Sequence, residues 1–269
     1  MNDLQNSLPL IIAHRGDSSN FPENTFAAIE NAIALGSDGI EFDVRLAKDG
    51  VPVVIHDSKL LRTSGIAGRV AEFTSGELAG LDVTSWFKSG SGNGKVEAQG
   101  VPRLQDVLSR VKAFPGKIFI ELKCGEHDVE PLTRAVSSAL ESGDLDGNVV
   151  VKSFRLSMIP LLKRVSPDIK TAALFAPKIM TVLRKEKYLV KLAAEFGVDE
   201  LSIHHSLATR KLVKKAEKYG LPVTVWTVDR PRWVKRAVSR GVKAIITNDP
   251  AMMMRQRSKL AEKLAPENR

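Results

Sequence analysis

Cysteine is almost missing from this chain. Cys124 is the only one, so no internal disulfide can form and a zinc site of the multi-cysteine type is excluded. No run of about 18 apolar residues exists, which excludes a membrane-spanning helix. The stretch Met1 to Pro9 is polar and carries Asp3. It has neither the basic start nor the apolar stretch of a secretory leader. Together these absences predict a soluble, cytoplasmic protein. Acidic residues are the minority, 31 against 40 basic ones, for a net charge of +9. Such an excess suits a phosphorylated substrate, an anionic membrane surface or nucleic acid. Many of the basic residues, such as Arg210, Lys211, Lys214, Lys215 and Lys218, recur at spacings of three and four and read as a solvated helix face. The interleaving of aromatic and basic residues seen in single-strand binders is absent.

What is present is a regular alternation. Strand-like runs end at His14, Val44 and Ile55 and recur at Lys117 to Leu122, Asn148 to Lys152, Lys170 to Phe175, Glu200 to Ile203, Pro222 to Thr227 and Lys243 to Thr247. Helical patterns separate them, including Thr25 to Leu35, Leu104 to Ala113 and one long pattern from Lys178 to Phe196. Strand alternating with helix predicts a parallel sheet covered by helices. The link at Lys48-Asp49-Gly50 is too short for a parallel crossover. Val51 to Ile55 is therefore a β-hairpin return, and eight strands remain. That count predicts an α/β chain of the (β/α)8 TIM-barrel class, although a doubly wound open sheet shares the alternation. The 269 residues suit one domain, 1–269, with residues 57–103 as an insertion over the barrel mouth. The insertion includes the flexible composition Ser89-Gly90-Ser91-Gly92-Asn93-Gly94.

Glu41 and Asp43 lie two apart on a strand and share a face. Buried together they would need a cation between them, and a hard divalent ion suits oxygen ligands. On an edge strand the same pair would simply face solvent. Glu121 and Lys123 repeat the spacing, as a third carboxylate with a cation or as a strand-end salt bridge. His14 and His56 also stand at strand ends, where barrel active sites collect. Histidine titrates near neutrality and suits proton transfer. Arg15 offers a fork for phosphate oxygens. His204 and His205 end another strand, one toward the mouth and one toward the helices. Cys124 and His127 follow Glu121, with no base to make the thiol a nucleophile.

These residues sit in motifs that together resemble the glycerophosphodiester phosphodiesterase family. They are His14-Arg15-Gly16, Pro22-Glu23-Asn24-Thr25, Gly39 to Val44, Val53 to Asp57, Ile120 to Lys123, Val225 to Val228 and Ile245 to Pro250. The resemblance spans about residues 10 to 250. It implies a (β/α)8 barrel with an insertion after the second strand, metal carboxylates at Glu41, Asp43 and Glu121, and catalytic histidines at His14 and His56. It places phosphate contacts at Arg15 and Lys123, an aromatic at Trp226 beside the substrate's alcohol end, and Glu23 and Asn24 in a shape-holding loop. The implied cofactor is a divalent cation, Mg²⁺ or Ca²⁺. The implied reaction is hydrolysis of a small glycerophosphodiester to glycerol 3-phosphate and an alcohol, in lipid and glycerol metabolism; for its two proton transfers we assign His14 as acid and His56 as base. No nucleic-acid partner is expected, and no oligomeric state is assigned. A lysophospholipase D or a lyase forming a cyclic phosphate shares the same site, while a basic nucleic-acid or membrane-surface binding protein leaves the acidic pairs unexplained. Two departures from the family pattern, Asp229 in place of Asn and Asn248 before Asp249, are expected to touch neither the metal nor the histidines.

Overall fold

The computed structural model describes residues 8–88, 96–125, 128–143, 147–183 and 186–265. The Gly-Ser run from Ser89 to Gly94 and His127 lie outside these residues. Strands β1 (Leu10–His14), β2 (Gly39–Leu46), β4 (Lys117–Leu122), β5 (Val149–Ser153), β6 (Lys170–Phe175), β7 (Glu200–His204), β8 (Val223–Trp226) and β9 (Ala244–Thr247) form one parallel sheet. Its order is β1-β9-β8-β7-β6-β5-β4-β2, and pairing of β1 with β2 closes it into a barrel. Strand β3 (Pro52–Val54) runs antiparallel to β2, with Val44 opposite Val54, as the short link requires.

The main helices are α1 (Phe26–Ala34), α2 (Leu104–Val111), α3 (Val129–Gly143), α4 (Met158–Val165), α5 (Glu186–Glu195), α6 (Arg210–Glu217), α7 (Arg232–Arg240) and α8 (Pro250–Leu264). Side-chain caps start three of them. Thr25 accepts the Ala28 N–H at 3.2 Å to start α1, Thr209 accepts the Leu212 N–H at 3.1 Å to start α6, and Asp249 accepts the Met252 N–H at 2.8 Å to start α8. The long pattern from Lys178 to Phe196 opens on a 3-10 turn rather than on an α-helix, and residues 184 and 185 within it lie outside the described residues. A turn at Pro177–Ile179 and a short helix, Met180–Leu183, precede α5. Pro177 accounts for the turn, because proline suits the first turn of a helix.

Strand alternation divides the core into two layers. Ile11, Phe42, Ile118 and Val151 point outward and pack under the helices. Ile12, Phe119, Val150, Ala172, Ala244 and Ile246 fill the inside of the barrel. Residues two positions beyond these share the interior face, nearer the C-terminal ends of the strands. Four of those positions are polar, His14, Glu121, Lys152 and Asn248, and two are apolar, Leu174 and Ile246. A polar layer thus caps an apolar plug, with Glu121 and Lys152 buried and His14 and Asn248 partly exposed. A separate cluster of Ala47, Val53, Ile55, Leu60, Val70, Leu78, Val83 and Val101 ties residues 57–103 to the hairpin.

Candidate active site

The loop after β1 sets the geometry. Arg15 and Gly16 both have left-handed backbone, at φ 57° and 80°. A Cβ on Gly16 would lie 2.4 Å from the Ala28 carbonyl carbon. Only glycine permits helix α1 to approach this closely. Gly16→Ala is expected to cost about 2 kcal/mol or more and to misplace Arg15. Thermal melting and kcat/KM of the variant check this, and an unchanged melting temperature would contradict it.

The strand register brings the polar residues together. His14 lies opposite Glu41, Asp43 opposite Glu121, and Glu121 opposite Lys152. Glu41, Asp43 and Glu121 are buried, and one carboxylate oxygen from each lies within 4.8 Å of the others. Three cations face the three acids. Lys152 Nζ is 2.8 Å from Glu41, Lys123 Nζ is 3.2 Å from Asp43 and also contacts Glu121, and Arg15 Nε is 3.0 Å from Asp43. Asn24, also in left-handed backbone, donates to Asp43 at 3.0 Å and accepts its N–H at 3.2 Å. Glu23 accepts from Arg15 at 2.9 Å and from Arg62 of the insertion at 2.6 Å.

Burial alone would push Asp43 up, but Lys123 and Arg15 outweigh it and hold its carboxyl well below the usual range. Glu41 behaves likewise through Lys152, whereas burial and the Asp43 charge push Glu121 up. Glu41 Oε1 and Asp43 Oδ1 have ion-pair neighbours yet no hydrogen bond of good geometry. Buried carboxylate oxygens left so are costly. An all-oxygen cluster with two under-satisfied atoms fits a hard divalent cation.

Each histidine is held from behind through Nδ1. His56 Nδ1 lies 2.6 Å from Asp57, and Arg45 donates to the His56 carbonyl at 2.7 Å. His14 Nδ1 lies 2.6 Å from Asn248 Oδ1, with Nε2 3.9 Å from Glu41. The expectation that Asn248 avoids the histidines is therefore wrong. Ile12 pairs with Ile246, so positions two residues on also face each other across the β1–β9 pair. Asp229 reaches His14 indirectly, by accepting from Asn248 Nδ2 at 2.7 Å. Burial lowers both histidine pKa values, against the opposing pull of Glu41 on His14 and Asp43 on His56.

Trp226 is half-buried at the mouth, edge-to-face with Phe154 at 5.5 Å and with His204 at 5.4 Å. His205 begins a 3-10 turn, His205–Leu207, rather than continuing the strand, so its ring lies 4.2 Å from that of His204 as well as 5.4 Å from Trp233 of α7, and the two do not part as strand alternation predicts. Cys124 is half-buried beside Met158, and burial pushes its thiol up, away from reactivity. Two cavities flank the carboxylates. One of about 410 Å³ is lined by Arg45, Glu121, Lys123, Phe154 and Arg155. The other, about 570 Å³, is lined by His14, Arg15, Glu23, Asp229 and Asn248. Lys152 is the participant that motif reading passes over, while Asn24 is expected from it only to hold the loop's shape and Asn248 and Asp229 only as departures from the family pattern.

Residues 14–252 match the model of the glycerophosphoryl diester phosphodiesterase family. A glycerophosphodiester phosphodiesterase of Caldanaerobacter subterraneus is 33% identical over 251 residues, covering 91% of this chain and 96% of the relative. One of Bacillus altitudinis is 31% identical, covering 93% and 98%. Among solved structures, an Oleispira antarctica phosphodiesterase in complex with the product sn-glycerol-3-phosphate superposes with a TM-score of 0.81 at 25% identity, covering 95% of this chain and 99% of that one. A glycerophosphoryl diester phosphodiesterase fold from Silicibacter pomeroyi superposes with a TM-score of 0.85 at 26% identity, covering 96% and 97%.

Proposed function

The chain belongs to the glycerophosphoryl diester phosphodiesterase family, and on that premise we propose that it hydrolyses glycerophosphodiesters to glycerol 3-phosphate and an alcohol with the groups assembled around Glu41, Asp43 and Glu121. The carrying observation is that a buried triad, Glu41, Asp43 and Glu121, has carboxylate oxygens within 4.8 Å of one another, is contacted by Arg15 and Lys123, and has His14 Nε2 at 3.9 Å from Glu41 with Nδ1 held by Asn248, while His56 Nδ1 is held by Asp57. No helix among the described residues is long and apolar enough to cross a membrane. We take the chain as one domain, with residues 57–103 anchored to the mouth through Arg62, working in the cytoplasm in lipid and glycerol metabolism.

Glu41, Asp43 and Glu121 would hold the cation, Mg²⁺ or Ca²⁺, since both prefer oxygen ligands. When bound, such an ion neutralises phosphate charge and lowers the pKa of a coordinated hydroxyl. Arg15 and Lys123 present N–H groups to the non-bridging oxygens, where charge grows in the transition state. The aromatic edge of Trp226 bounds the space for the alcohol end.

The partners of the two imidazoles divide their roles. Asp57 is an anion behind His56, so it stabilises the imidazolium formed when His56 takes a proton from the attacking hydroxyl. Asn248 is a neutral amide behind His14, so the His14 imidazolium is the less stabilised and the better donor to the leaving alkoxide. His56 is therefore the base and His14 the acid. Incubation with glycerophosphocholine or glycerophosphoethanolamine and a divalent cation is expected to release glycerol 3-phosphate. A chelator should abolish release and added metal restore it. No release with either substrate, or release indifferent to the chelator, refutes this reading. A cyclic phosphate product would instead mark the lyase.

A further inference from the structure

We infer that Asn248 and Asp229 form one positioning unit that fixes the tautomer of His14, so that Nε2 is the atom presented to substrate. The inference rests on the reading of His14 as a proton-transfer group. Its basis is the direction of each hydrogen bond. Asp229 accepts from the Thr247 hydroxyl at 3.0 Å, the Asn248 N–H at 2.8 Å and Asn248 Nδ2 at 2.7 Å. A carboxylate only accepts, so the amino end of the Asn248 amide must face Asp229. Its carbonyl end then faces Ser18 Oγ at 3.1 Å and His14 Nδ1 at 2.6 Å. A carbonyl oxygen also only accepts, so Nδ1 carries the imidazole proton. Neutral imidazole has a single N–H. In the neutral ring Nε2 then carries the lone pair, and in the imidazolium it carries the proton that His14 delivers as the acid, so in both forms Nε2, on the side that faces Glu41, is the exchanging atom.

The unit has a polarity that substitution can reverse. In Asp229→Asn the new side-chain oxygen still accepts from Thr247 and the Asn248 N–H. Its amino group then meets the amino group of Asn248. Rotation of the Asn248 amide relieves the clash and turns Nδ2 toward His14. Nδ1 must now accept, so the proton shifts to Nε2. In the exchanged double variant, D229N/N248D, the carboxylate at 248 accepts from His14 and from the amide at 229. Every donor again has an acceptor, and the tautomer of the starting protein returns.

The test reads the His14 ring by ¹⁵N NMR in the metal-free protein, and kcat and KM on glycerophosphocholine with metal. The starting protein is expected to show a bare Nε2. D229N should show a bare Nδ1 and a kcat lower by between about 10² and 10⁴-fold, the range for loss of a proton-transfer group or its correct tautomer, with KM little changed. The double variant should recover both the tautomer and most of kcat. Melting curves run on all three separate a folding defect from a tautomer effect. If D229N does not fold, N248A carries the test, because it removes the carbonyl and leaves Asp229 in place. Its ring should populate both tautomers while kcat falls. A ring that keeps Nδ1–H in D229N, or a double variant no better than D229N, overturns the inference. An active His14→Ala variant would refute the role of His14, whereas the NMR result would still decide whether Asn248 and Asp229 set its tautomer.

Discussion

His14→Ala and His56→Ala are each expected to lower kcat by about 10³-fold or more, the range for removal of a positioned general acid or base. The fold should be retained in both. His14 ends strand β1 and His56 follows the hairpin, and both are partly exposed. Neither belongs to the apolar plug inside the barrel or to the layer beneath the helices. The metal carboxylates remain paired with Lys152, Lys123 and Arg15 in either variant, so cation binding should persist. The rate of glycerol 3-phosphate release and a calorimetric titration with the divalent cation check the two halves separately. The variants should also differ from each other. A substrate with a more acidic alcohol needs less help from the acid, so it should restore turnover to His14→Ala but not to His56→Ala. Full activity in either variant would sink the assignment. Restoration of His56→Ala alone would reverse the roles.

The sequence made some of this legible, and the reasons are physical. The hairpin was forced by the short link at Asp49-Gly50, and β3 indeed pairs antiparallel with β2. Spacing of two placed Glu41 with Asp43, and Glu121 with Lys123, on the interior face. Spacing could not say that the two pairs meet, because that depends on the register Asp43 to Glu121 across β2 and β4. Lys152 went unread for the same reason. It ends an apolar run, Val149 to Val151, and looks like an ordinary strand terminus until β5 is laid beside β4. Asn248 is more instructive. It lies two residues beyond Ile246, just as His14 lies two beyond Ile12, and a β1–β9 pairing would have put them together. Barrel closure is a contact between the first and last strands, so no local pattern announces it. Pro177 shows the converse, a local signal that a long helical pattern concealed.

Glu41→Ala is expected to be the most destabilising change at the site, and Lys152 is the reason. Both side chains are essentially inaccessible, at 0% and 2%, and their charged atoms lie 2.8 Å apart. Removing one member of a buried pair leaves the other charge uncompensated in a poorly solvating place, at a cost of about 3–5 kcal/mol. For a domain of this size that shifts the melting temperature by on the order of 10 °C. The reverse deletion, Lys152→Met, should cost less. Glu41 would keep the Arg15 N–H at 3.2 Å and the His14 imidazole at 3.9 Å, whereas among the described residues Lys152 has no second carboxylate within ion-pair distance. Combining the two changes removes both charges and leaves an apolar pair, smaller than the original by most of the Glu41 side chain. The double variant should therefore be more stable than Glu41→Ala alone, with a coupling of about 2 kcal/mol, within the span seen for residues in contact. It should remain inactive, because the carboxylate is still missing. Lys152→Met alone should bind the divalent cation more tightly, since the ammonium no longer competes for Glu41 Oε1. Melts in chelator, where bound metal cannot stabilise the native state by mass action, measure the cycle, and calorimetry measures the affinity. Additive effects in the cycle would show that the pair is not the source of the cost. Weaker cation binding by Lys152→Met would show that the ammonium shapes the carboxylate cluster rather than competing for it.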